Sequence, residues 1–158
     1  MKTIIIEKLE RIFAECDKHL NRMSSAYRKI AVILPLDVEK YVQLSEEEIE
    51  HIDQYLFRFA KLQDTMGEKL FKSLLLFLDE EVENKPFTDI LNKMEKLLLI
   101  DDVQSWRILR DIRNELSHQY DDDPEDMSMI LNKIFDEKSH IEAIYVHLKE
   151  YYNKQIMQ

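Results

Sequence analysis

A chain of 158 residues with a single glycine, Gly67, and three prolines, Pro35, Pro86 and Pro124, has few means of making the tight turns on which sheets depend. The same scarcity favours helices, whose interiors tolerate neither residue well. Hydrophobic residues make up 45% and charged residues 34%, a balance that lets helices bury one face and solvate the other. The length is that of one domain, large enough to bury a core without disulfides or structural metal. An all-α fold in one domain spanning 1–158 is therefore expected.

Apolar spacing divides the chain into five helices. Ile5, Leu9, Ile12, Cys16, Leu20, Met23, Tyr27, Ile30 and Leu34 follow one another at steps of three or four, the signature of one helix face. Pro35 stops that run, and Pro35 to Leu44 reads as a connection. Ser45 stands three residues before Glu48, a capping box that opens the second helix. Its apolar set, Ile49, Ile52, Leu56, Phe59, Leu62, Met66, Leu70, Leu74 and Phe77, carries it to about Glu81, roughly 50 Å at 1.5 Å per residue. Gly67, inside this helix, marks a close-packing point or a slight bend.

Pro86 breaks the pattern, and Thr88 can cap a short third helix carrying Ile90, Leu91, Met94, Leu97 and Leu98. Asp101 or Asp102 can cap a fourth, with Trp106, Leu109, Ile112 and Leu116 as its core face. Asp123 and Pro124 suit the start of a fifth, whose inward residues are Ile130, Ile134, Ile141, Tyr145, Leu148 and Tyr152. The predicted architecture is a five-helix, up-and-down-type bundle with two long N-terminal helices.

Cys16 is the only cysteine, so no intrachain disulfide can form, and among apolar helix positions its thiol acts as a small hydrophobe. That fits a reducing, cytoplasmic setting. Ile4-Ile5-Ile6 is cut short by Glu7 and Lys8, far too soon for a signal peptide, and no window has the roughly 18 apolar residues of a membrane span. Net charge is −10. An acidic surface opposes broad, non-specific contact with phosphate backbones, so any nucleic-acid contact is expected to be local.

The run Arg113-Asn114-Glu115-Leu116-Ser117-His118-Gln119-Tyr120 carries the most distinctive chemistry. Its polar side holds Arg107, Arg110, Asn114 and Ser117, with Arg113 and Tyr120 at the edge of the apolar face and His118 nearly opposite the core. Arg113 and His118 are five apart, hence separated by about 140° around an unbroken helix. Either the helix ends early or a second chain contributes; two copies of the helix about a two-fold axis would bring both pairs into one cleft. Histidine can exchange a proton near neutral pH and arginine can hold phosphate oxygens, which suits phosphodiester cleavage without a metal. Asn114 could orient the imidazole. The plain alternative is that Arg113 pairs with Asp111, Glu115 or an acid elsewhere and His118 is an ordinary surface residue.

The pattern of Arg113, Asn114, His118 and Tyr120, preceded by Trp106-Arg107-Ile108-Leu109-Arg110-Asp111-Ile112, resembles the HEPN superfamily, most closely the HepT-type toxins paired with a minimal nucleotidyltransferase. The order of two long helices, a short one, the motif helix and a last helix is similar too, over about Ile4 to Tyr152. The resemblance implies a homodimeric, metal-independent endoribonuclease toxin in the cytoplasm, neutralised by a cognate nucleotidyltransferase antitoxin. It implies Arg113 and His118 as catalytic residues, Asn114 and Arg110 in support, RNA as substrate, and Tyr120 as the hydroxyl modified with AMP by the antitoxin. Related helical proteins also serve as non-catalytic substrate-binding or partner subunits of nucleotidyltransferases, which is the alternative.

No cofactor and no metal are expected. His140 and His147 lie seven apart on the fifth helix without a third ligand nearby, and read as surface histidines. In Phe57-Arg58-Phe59-Ala60-Lys61-Leu62-Gln63-Asp64, Arg58 and Lys61 could face the same cleft as Arg113. The simpler reading makes Phe59 and Leu62 core and leaves Arg58, Lys61 and Asp64 on a solvated edge.

Overall fold

The first apolar stripe folds as α1 (Lys2–Ile30), with Leu9, Ile12, Phe13, Cys16, Met23 and Ile30 buried. The computed structural model describes residues 2–118 and 123–158, and of residues 117 and 118 the backbone alone. Every regular element among the described residues is helical, so the all-α bundle stands. The division into helices is finer than apolar spacing suggested.

After Pro35, the connection expected over 35–44 contains a short helix, α2 (Val38–Val42), because Asp37 accepts the Lys40 amide at 2.8 Å and caps it. Ser45 and Glu48 form the reciprocal box at 3.0 and 2.8 Å. It opens α3 (Glu46–Thr65), which passes through a π turn, Met66–Leu70, into α4 (Phe71–Phe77). This is the long second helix of the sequence reading, opened at the one glycine. It pairs antiparallel with α1: Lys2 meets Phe77, Glu15 meets Thr65, His19 meets Arg58 and Tyr27 meets Tyr55.

The helix ends at Phe77, short of Glu81, because Asp79 takes a left-handed backbone (φ 64°) and the chain turns back on itself. Asp79 N donates to Leu76 O at 3.0 Å and Glu80 N to Leu75 O at 2.9 Å, the paired bonds of a Schellman cap. The next helix, α5 (Phe87–Lys96), closes in the same way. Leu98 (φ 61°) donates to Glu95 O and Leu99 to Met94 O, at 3.0 and 2.8 Å. Glycine usually fills such positions; here aspartate and leucine do. The start of α5 also differs from expectation, since Pro86 and not Thr88 precedes its first turn, with no side-chain cap.

Asp102 caps α6 (Val103–His118), accepting from the Ser105 amide at 2.6 Å, while Glu95 accepts the Val103 amide at 2.8 Å. Trp106, Leu109 and Ile112 are buried as its core face, and Leu116 packs against the core more loosely. Asp123 and Pro124 open α7 (Pro124–Asp136), the aspartate accepting from the Glu125 amide at 3.0 Å.

The fifth expected helix is in fact two, α7 and α8 (Lys138–Ile156), meeting at Glu137. Neither proline nor glycine marks the break. Its physical counterpart is Tyr55, whose buried hydroxyl donates at 2.9 Å to the Ile134 carbonyl, the acceptor an uninterrupted helix offers to residue 138. Because the apolar residues keep helical phase across Glu137, the whole expected face from Ile130 to Tyr152 is buried.

Two further sets of polar contacts fix the layers. Asn132 on α7 gives and takes hydrogen bonds with the Leu36 backbone, both at 2.8 Å, and so pins the α1–α3 connection. On α8, Tyr145 donates to Phe13 O at 3.0 Å and to Asp17 at 2.6 Å. Lys149 meets Asp17 at 2.6 Å and Tyr152 donates to Glu10 at 3.0 Å. Phe13 packs between the Tyr145 and Tyr152 rings. Among the described residues no helix is long and apolar enough to cross a membrane.

Candidate functional site

Burial of Trp106, Leu109 and Ile112 fixes the rotation of α6, and so determines where its polar residues stand. Arg110, Arg113 and Asn114 line a cleft of about 340 Å³ whose opposite wall is Gln63, Asp64 and Gly67 of α3 and the π turn. Phe87, Glu68 and Lys72 complete it. Three of the residues singled out from sequence thus share one concave surface, of a size that small ligands use.

Gly67 sets how closely the walls approach. A Cβ there would lie 3.3 Å from Trp106 Cζ2 and 3.7 Å from Phe87 Cζ, so the glycine is the close-packing point that its position suggested. The Trp106 ring also packs edge-on with Phe71, at 4.7 Å between centroids and 61°. The backbone does not merely bend at Gly67. It widens into the π turn, a geometry that inserts a residue and recurs at functional positions.

Electrostatically, the cleft is organised by an ion pair. Arg113 Nη2 donates to Asp64 Oδ2 at 3.0 Å, with each side chain about a third exposed (35% and 34%). The plain alternative for Arg113, a pairing with an acid elsewhere, is therefore realised, and Asp64 is not the solvated-edge residue it was read as. Arg110 lies over the Phe87 ring, 5.4 Å from its centroid. Lys72, Arg110 and Arg113 stand against Asp64 and Glu68, leaving one net positive charge in a chain of net charge −10.

The residue that sequence reasoning missed is Gln63. It is only 4% exposed, lines the cleft, and neither Nε2 nor Oε1 has a hydrogen-bond partner among the described residues. A signal existed: Gln63 follows Phe59 by four positions and falls on the apolar side of a helix otherwise buried there.

Arg58 and Lys61 do not line this cleft. Arg58 Nη1 instead meets His19 Nδ1 at 3.0 Å, in a second polar cluster between α1 and α3. Guanidinium nitrogens only donate, so Nδ1 accepts and Nε2 carries the proton toward Glu15, 3.5 Å away. Thr65 also donates to Glu15, at 2.6 Å, and Lys69 approaches it at 3.4 Å. Thr65 first, aided by Lys69 and His19, lowers the Glu15 pKa against the opposing effect of burial. Burial and then Arg58 lower that of His19. Nearby Cys16 is fully buried, and burial pushes its thiol up to about 12, the inert hydrophobe expected of it.

α6 remains helical through His118, so early termination does not bring positions 113 and 118 together. The side chain of His118 lies outside the described residues, as does Tyr120. On α8, His140 meets Glu137 at 2.8 Å and His147 the Leu98 carbonyl at 3.0 Å, each with its own partner. Among the described residues no group of three or more His, Cys, Asp or Glu side chains is placed to hold a metal ion. Against protein-family models, curated proteins and solved structures, the chain finds no match.

Proposed function

We propose that the chain is a HEPN-type, metal-independent endoribonuclease toxin of the cytoplasm, acting as a homodimer and neutralised by a minimal nucleotidyltransferase antitoxin. The supporting observation is that Arg110, Arg113 and Asn114 of the motif helix share one cleft, whose net charge is opposite in sign to that of the whole chain.

In this reading the RNA 2′-hydroxyl attacks the adjacent phosphorus, and the bond to the 5′-oxygen of the next nucleotide breaks. His118 moves the protons, and Arg113 offsets charge on the phosphorane. Asn114 and Arg110 support them. Since α6 is unbroken, positions 113 and 118 remain about 140° apart, and Arg113 works with His118 of a second copy across a two-fold axis. Tyr120 is the residue the antitoxin modifies with AMP, adding negative charge where substrate phosphate would sit.

Purified chain is expected to degrade RNA in EDTA and His118→Ala is not; equal behaviour of the two removes the reading, as does a monomer by light scattering at working concentration. The Arg113–Asp64 pair favours a second reading, a non-catalytic partner subunit of a nucleotidyltransferase, because an arginine held by a carboxylate serves structure as well as phosphate binding. Binding to such an enzyme without RNA cleavage selects it.

A further inference from the structure

Valine suits an exposed position of a short helix poorly: its branched Cβ lowers helix propensity, and in water its apolar surface gains nothing. Yet two of the five residues of α2, Val38 and Val42, stand one turn apart on the same side with 46% and 60% of their surface exposed. Val32, in the 3₁₀ turn Ala31–Ile33, is 88% exposed. These segments are held in place. Lys40 Nζ donates to the Ile33 and Pro35 carbonyls at 3.1 and 3.2 Å, tying α2 to that turn, and Asn132 fixes Leu36 between them. The three valines are therefore displayed on a fixed surface.

Charge narrows what can cover them. Residues 37–53 hold seven carboxylates and one lysine, six of the chain's ten net negative charges. That lysine, Lys40, is turned onto backbone carbonyls. Asp37 and Glu48 cap helices, and Glu46 and Glu47 sit favourably at the positive end of α3. Neither role accounts for Glu39, Glu50 and Asp53, all exposed, the first of them on α2 itself. Such a surface repels RNA phosphates and anionic lipid. A second copy docked face to face would set like charges against each other.

We infer that Val32, Val38 and Val42 form a docking surface for a basic amphipathic segment of a partner protein, whose aliphatic side chains cover the valines while its lysines and arginines meet the carboxylates of 37–53. The inference does not rest on the ribonuclease reading, which concerns α6.

The probe is a fluorescently labelled helical peptide with a leucine stripe flanked by lysine and arginine. It is compared with an isomer of the same composition whose leucines share no face, and with a version in which glutamate replaces the cations. Anisotropy is read with the full chain at about 0.15 M salt. The first peptide is expected to bind saturably, at a Kd about tenfold or more below that of its isomer, and the glutamate version not to bind. Val38→Ser with Val42→Ser is expected to weaken binding about tenfold at an unchanged urea midpoint, because serine and valine have similar helix propensities and neither valine is in the core. Val146→Ser, which alters an exposed valine on α8, is expected to bind as wild type does.

Equal binding of the isomer overturns the inference, since charge alone then suffices. So does binding unaffected by the double serine variant, or no saturable binding of the first peptide. Self-association by light scattering that the double variant abolishes gives the face to a second copy and also overturns it. RNA cleavage by wild type without peptide binding retains the ribonuclease reading and removes the docking surface. Peptide binding without cleavage does the reverse.

Discussion

Two residues show how single side chains set the stability of this bundle. Leu98 sits at φ 61° with 77% of its surface exposed, so its side chain contributes little packing to offset a backbone region that disfavours Cβ. The left-handed strain of about 1–2 kcal/mol exceeds the extra chain entropy that glycine loses on folding. Leu98→Gly is expected to raise stability by about 0.5–1 kcal/mol, read as a higher urea midpoint at unchanged slope. His19 acts through its proton. Burial and Arg58 depress its folded pKa below the ordinary value of 6.5, although Glu15 pulls the other way. As pH falls below 6.5 the unfolded chain takes up a proton that the folded chain resists, so stability is full above that value and declines below it. Glu15, with its pKa below 4.5, adds its own loss only in more acid solution. His19→Gln, which still offers Arg58 an acceptor, is expected to flatten the urea midpoint between pH 6.5 and 4.5. A decline as steep as in wild type would place the titrating group elsewhere.

At the scale of elements, Gly67 couples the π turn to α6. In an ordinary exposed helix Gly→Ala gains about 1 kcal/mol of propensity. Here the new methyl meets the Trp106 ring at 3.3 Å, and that ring, 2% exposed and in contact with Phe71, has little room to shift. Overpacking of about 1–3 kcal/mol then outweighs the gain. Gly67→Ala is expected to destabilise by about 1 kcal/mol with an altered Trp106 emission, whereas a stabilised variant would mean that α6 slides freely over the turn. The elements also show what sequence conveys. Helical spacing identified the buried faces of α1, α3, α6, α7 and α8, and the Ser45, Asp102 and Asp123 caps were legible because capping is local. The break at Glu137 was not, because its counterpart, the Tyr55 hydroxyl on the Ile134 carbonyl, comes from 79 positions away. The ends of α4 and α5 were missed for another reason: they are built on Asp79 and Leu98, without the glycine that announces such caps.

Across the whole molecule, the cleft was half legible. Motif spacing on α6 named Arg110, Arg113 and Asn114, but the facing wall comes from α3 and the π turn, and which of its polar residues turn inward depends on how two helices dock. Gln63 and Asp64 therefore became site residues only in three dimensions. Similar long-range dependence governs α8, whose Tyr145, Lys149 and Tyr152 bind Phe13, Asp17 and Glu10 across 128 to 142 positions of sequence. Protein synthesis runs in one direction, so the helix that covers this side of α1 is the last of the bundle to be made. Until then the ribosome holds a chain with the Phe13 side of α1 uncovered and Asp17 without its two α8 partners, and the loop to be closed spans nearly the entire domain. Assembly of that layer consequently waits on α8, and a ribosome stalled before α8 presents an open apolar seam to whatever chaperone waits at the exit.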